Sequence, residues 1–412
     1  MTEDNAPSDE STAQEAGSEM VDGGQVVADS VDGGQVVTDS TDGGQAVTDN
    51  VEDVHERSHE SAHSRAVPSI RETLTLLGVA ITAVLAVVAL SFVALDWLRT
   101  LSGPVGTVAA DAFEQSLSGG EALDGVLGTR VFQYPFTLRA IATGILIGVV
   151  GPLVGTFLVH RQMALVGETL AHTAFAGVAV GVVVAGLTGM AGTEGQLVFV
   201  ALVVSALAAL GLQWLASHTD SYGDVPIAIV LTGSFAVGTL LISWGRDMVA
   251  VPIEIEDFLF GSLSIVTAEG MQLVAVLTVV VVALVVVNYK QFLFITFDEQ
   301  AARVARFNVT AYNSLLIVMT AVVVVGAMQI LGVILVAGLL VIPAAAASQL
   351  GHSFRETLYL SVIVGQLSVL GGLAVAIGWS LPPGGAIIVF AIAMYILAVL
   401  VSDRGVGHIS VH

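Results

Sequence analysis

Residues 151–181 read GPLVGTFLVHRQMALVGETLAHTAFAGVAVG, two apolar runs parted by the polar step His160-Arg161-Gln162. With their flanks these runs cover about 136–159 and 165–187, and about 20 apolar residues cross a hydrocarbon core of ~30 Å as a helix. The stretch is expected to form two transmembrane helices. The second carries Glu168 and His172 four residues apart, on one helical face.

Composition extends that reading to most of the chain. Hydrophobic residues make up 55% of the 412 and charged residues 12%, against roughly 25% charged in an average soluble domain. Eight more apolar runs, at about 74–98, 196–216, 225–245, 271–288, 311–328, 331–348, 357–378 and 385–401, bring the expected spans to ten. Many are rich in valine, yet they lack the length of about ten residues and the alternation of barrel strands. The fold class expected is an all-α polytopic membrane protein of about ten transmembrane helices behind a disordered acidic N-terminal leader. Cysteine is absent, which excludes disulfides and thiolate metal sites.

The net charge of −22 is concentrated at the start, where residues 1–70 hold sixteen of the thirty-five acids against Arg57 and Arg65 alone. This balance argues against nucleic acid as a partner. With Lys290 the one lysine, it also suggests the hypothesis of a chain suited to concentrated salt, which a leader gaining no solubility in molar salt would contradict. Near-identical decapeptides start at Val21, Val31 and Thr41 and read as a solvated tail. After them His55, His59 and His63 recur at a spacing that aligns them on a helix, where they would hold a cation or simply decorate a polar tail.

Seventy polar residues before the first apolar run do not fit a signal peptide. Arg57, Arg65 and Arg71 before that run, against Asp111, Glu114, Glu121 and Asp124 after it, place both termini in the cytoplasm.

A carboxylate at mid-bilayer costs on the order of 2.5 to 3.5 kcal/mol, so Glu168 needs a reason to be there. A path for a divalent transition metal is one, since a carboxylate and an imidazole suit such an ion. A Glu168–His172 hydrogen bond, or an acid at the cytosolic interface, is the other. Gly167, Gly177 and Gly181 let neighbouring helices approach, which favours a protein-lined setting.

The order of features in 151–181, a glycine-proline pair, a basic step, a glycine, an acid and a histidine, resembles the zinc and manganese ABC transporter permeases. DVPIAIVLTGSFAVG from Asp224, FLFGSLSIVT from Phe258, LLVIPAAAAS from Leu339 and LPPGGAIIVF from Leu381 follow in that family's order, so the resemblance covers about Phe136 to Ser402. It divides the chain into a leader over 1–70, an extra transmembrane helix and external loop over 71–130, and a permease domain over 131–403. It implies that Glu168 and His172 belong to the metal translocation path. The family's acid is typically aspartate, so glutamate here bears on metal preference.

The resemblance also implies a homodimer in the plasma membrane lipid, an ATP-binding subunit, an extracellular metal-binding protein, and zinc or manganese as cargo with no permanent cofactor. Thr296–Asn313 is expected as a short amphipathic helix on a cytosolic turn. Its opening, Asp298-Glu299-x-x-Ala302, resembles the segment that docks on the ATPase, with Arg306 or a neighbour where that family has glycine. No Gly-x-x-x-x-Gly-Lys phosphate loop occurs, so a transport subunit is expected rather than an enzyme. A permease for an iron chelate or corrinoid remains an alternative. So does an ATP-independent carrier, for which matching interrupted helices are expected. Pro343 is expected to break hydrogen bonding inside its span, and Pro382–Gly385 to connect the last two tightly.

Overall fold

The computed structural model describes residues 70–188, 194–218, 225–245 and 266–402, within the unit Pro68–His412. Among these residues there are thirteen helices and no strand. They are α1 (Ile70–Leu98), α2 (Pro104–Leu127), α3 (Pro135–His160), α4 (Ala164–Thr188), α5 (Glu194–His218), α6 (Val225–Gly245), α7 (Ala268–Val287), α8 (Tyr289–Phe297), α9 (Glu299–Val304), α10 (Val309–Leu331), α11 (Val333–Leu350), α12 (Phe354–Trp379) and α13 (Pro383–Val401). Nine of the described helices are long and apolar enough to cross a membrane, and each lies on an expected span. The remaining expected span falls on α5, whose described apolar stretch is Phe199–Gly211.

Local chemistry sets the helix ends. Pro104, Pro135 and Pro383 open α2, α3 and α13, where a missing N–H costs nothing. Side chains of Thr267, Asp298, Asn308 and Ser353 accept from the first free N–H groups of α7, α9, α10 and α12. Ser380 adopts a left-handed φ of 54° and ends α12 just before the Pro382–Pro383 turn.

Two expectations are corrected. Residues 104–127, expected inside an external loop, form the 24-residue helix α2, because its apolar positions are spaced around a wheel and never make a continuous run. Pro343 lies inside α11, where it removes one backbone donor while the helix continues. The amphipathic segment is also shorter than expected: α9 has six residues, and α8 precedes it.

α3 is buried along most of its length. Gly155 makes room for α11, because a Cβ there would overlap the Leu340 carbonyl. At Gly238 an added Cβ would lie 2.8 Å from the Phe175 ring and 3.2 Å from the Ala176 Cα, so α6 rests directly on α4. α1 joins this body through Asp96, whose buried carboxylate accepts from Arg139 Nη2 at 3.1 Å and from Arg99 Nε at 2.8 Å. That pairing gives the Arg139 guanidinium, near the start of α3, a buried carboxylate partner.

Candidate functional site

The site is built on α4 and the bend that leads into it. α3 ends in a turn of three residues, Arg161 to Met163. In it Gln162 takes a left-handed φ of 57°, its N–H donates to Val159 O at 3.0 Å, and Met163 N–H donates to Leu158 O at 2.8 Å. These two bonds form a Schellman closure. α4 then starts at Ala164, and its fifth and ninth residues are Glu168 and His172.

Glu168 is exposed and His172 half-buried. No hydrogen bond joins them among the described residues, so the local-bond reading is not what this chain adopts. The His172 Nδ1 atom is instead buried without a hydrogen-bond partner, while Glu168 lies near enough to act on the ring electrostatically. The imidazole is held by α6: it stands edge-on to Phe235 at 5.2 Å between centroids, and Phe235 in turn stacks near Phe175 at 5.8 Å. Thr173, the next residue on α4, lies 3.4 Å from the Ser234 hydroxyl. The Phe235 contact orients the His172 ring, and the i, i+4 spacing on α4 places an oxygen donor and a nitrogen donor one turn apart. Among the described residues, no three His, Asp or Glu side chains gather as a complete metal shell.

Of the residues expected to dock on an ATPase, Asp298 caps α9 by accepting from Ala301 N–H at 2.7 Å. Ala302 is buried against Ile295 and Val309, so it anchors α9 and does not face outward. Arg306 is exposed and left-handed at φ 61°. Its N–H donates to Arg303 O, and Phe307 N–H donates to Ala302 O at 3.0 Å, the same Schellman closure. The turn geometry thus persists with arginine in the place of glycine.

Sequence reasoning missed a link between these two regions. Arg161, only 8% exposed, pairs with Glu299 Oε2 at 3.7 Å and donates to Asn313 Oδ1 at 2.6 Å. Burial pushes its guanidinium below the ordinary arginine range, and the Glu299 carboxylate pulls it partly back. The basic step in 151–181 was the available signal, although nothing in it named the partner. His160, in the same polar step, packs edge-on to Phe354 at 4.9 Å and holds Thr156 O through Nδ1 at 2.8 Å. His55, His59 and His63 lie outside the described residues.

A family model described as ABC 3 transport family matches residues 133–402, more than half of the chain. The chain belongs to the ABC 3 transport family. Among curated relatives, the manganese transport system membrane protein MntC of Listeria monocytogenes is 28% identical, over 66% of this chain and 93% of its own length. The high-affinity zinc uptake system membrane protein ZnuB of Haemophilus influenzae is 23% identical, over 66% of this chain and its full length. Among solved structures, PsaBC from Streptococcus pneumoniae in complex with Fab superposes with a TM-score of 0.58 at 26% identity, covering 69% of this chain and 96% of that one. This ABC 3 chain is therefore a multi-pass membrane protein of a transport family, and α1 and α2 precede the matched residues.

Proposed function

We propose that the chain is the permease subunit of an ATP-driven importer for a divalent transition metal, manganese or zinc. The observation that carries this reading is the pair on α4, an exposed carboxylate one turn from an imidazole whose buried Nδ1 has no partner, in a family whose named relatives move those metals. In this reading Glu168 and His172 are transient ligands of the cargo. Structural zinc takes four ligands and one chain offers two, which favours a homodimer with a second copy facing α4. An external metal-binding protein would deliver the ion. Asp298, Glu299 and Arg306 would meet the ATP-binding subunit, with Ala302 holding α9 in place. The leader histidines would hold the same ions on the cytosolic side.

Metal accumulation in cells lacking and then regaining the gene tests the reading, with manganese, zinc and iron measured together. Glu168→Gln and His172→Ala, at matched membrane abundance, are expected to reduce uptake by at least the 10- to 100-fold typical of losing an outer partner of a metal ligand. Undiminished uptake in both would remove the site assignment, and accumulation of iron alone would favour the chelate reading.

A further inference from the structure

α2 presents three distinct faces. Ala109, Phe113, Gly120 and Asp124 are buried on the body of the protein. Asp111, Glu114 and Glu121 are exposed together with Thr107 and Ser118. Val105, Val108, Leu123 and Val126 stand at the two ends of the third face, with Ala112, Gln115 and Gly119 between them, and Val108 and Val126 are 68% and 84% exposed. At 3.6 residues per turn the centres of the three faces lie roughly 120° apart.

Both ends of α2 stay at one end of the bundle. It begins shortly after α1 ends, Phe113 meets Phe92 at 5.3 Å, and Arg99 lies 4.0 Å over the Phe113 ring. Further along, Gly120 abuts the Phe132 carbonyl, immediately before α3 starts. The Asp124 carboxylate closes that segment by accepting from Thr129, Val131, Phe132 and Gln133. Burial raises its pKa, but these donors outweigh that and bring it down to about 2. α3 runs from here to His160, beside the coupling segment, so α2 lies at the opposite membrane end.

We propose that α2 lies along the membrane–water interface of the leaflet opposite the coupling segment. Its valine-leucine face enters the lipid, its acidic face meets water and its third face rests on the bundle. Continuity selects lipid as the occupant: the exposed wall of α1 (Val84, Val87, Val88) continues through Trp97 and Leu101, both exposed, into Val105 and Val108. A tryptophan at that level is the usual marker of a membrane boundary. Interfacial helices commonly use a basic polar face to attract anionic lipid. The acidic face here leaves apolar insertion as the attachment.

The natural absence of cysteine makes the test direct. Single cysteines at Val105, Val108, Leu123 and Val126, and at Asp111, Glu114 and Glu121, each carry a nitroxide label on the full chain in phosphatidylcholine vesicles. Power saturation then compares oxygen with a water-soluble nickel chelate as the relaxing agent. The first four positions should favour oxygen and the last three nickel. Nickel access at all seven would place the helix free in water, and access by neither agent at the first four would mean a protein partner or a second copy covers that face. Either result overturns the proposal. Any variant whose thermal midpoint departs from the parent is replaced by its neighbour on the same face.

Discussion

Asp96 and Glu168 are both carboxylates on apolar helices, and their surroundings differ completely. Asp96 is buried and held by two guanidinium groups. Removing one partner of a buried ionic set costs about 3 to 5 kcal/mol, because the remaining charges keep their desolvation cost without compensation. Asp96→Asn should therefore lower the thermal midpoint of the purified protein by several degrees, and an unchanged midpoint would show the network to be dispensable. Glu168 has no such cations and remains exposed beside a buried imidazole nitrogen. The residue types and spacing of Glu168 and His172 were readable from the sequence. The surroundings of His172 were not, because Phe235 reaches it, and Ser234 reaches its neighbour Thr173, from α6, about sixty residues away in the chain.

At the level of elements, long spans were readable wherever about 20 apolar residues run together, as in α6, expected over 225–245 and found there. α2 escaped because its side chains divide among protein, acid-bearing and apolar faces, so no window of its sequence looks like a span. Nor could six-residue α9 announce itself, since its limits are set by the Asp298 cap and the left-handed Arg306. That turn makes its own prediction. A left-handed residue with a Cβ costs about 1 to 2 kcal/mol, while glycine gives back about 0.5 to 1 kcal/mol in chain entropy. Arg306→Gly should match or slightly exceed the parent in thermal midpoint, and Arg306→Val should fall below both. A valine variant as stable as the parent would show that the turn can relax out of the left-handed region.

Across the whole molecule, Arg161 joins features that the sequence places far apart. It lies seven residues before Glu168, yet it binds Glu299 on α9 and Asn313 on α10. On α3, Phe157 packs against Phe292 and Phe354 with centroids 5.6 and 5.2 Å away, tying α3, α8 and α12 together. The short bend after α3 is closed by two hydrogen bonds, which leaves it little room to stretch.

A linkage with no slack passes a displacement on rather than absorbing it, like a crank rather than a cord. A push on Glu299 would then arrive at the start of α4 nearly undiminished, about one helical turn, or ~6 Å, from Glu168. Two glycines inserted after Gln162 would add the missing slack. On the proposed function, with the chain reconstituted beside an ATP-binding subunit, this insertion should leave ATP hydrolysis running while metal moved per ATP falls, and an unchanged ratio would mean the stroke reaches the site by another route. The tightness of one three-residue bend would thus set how much of each ATP-driven stroke is delivered to the cargo.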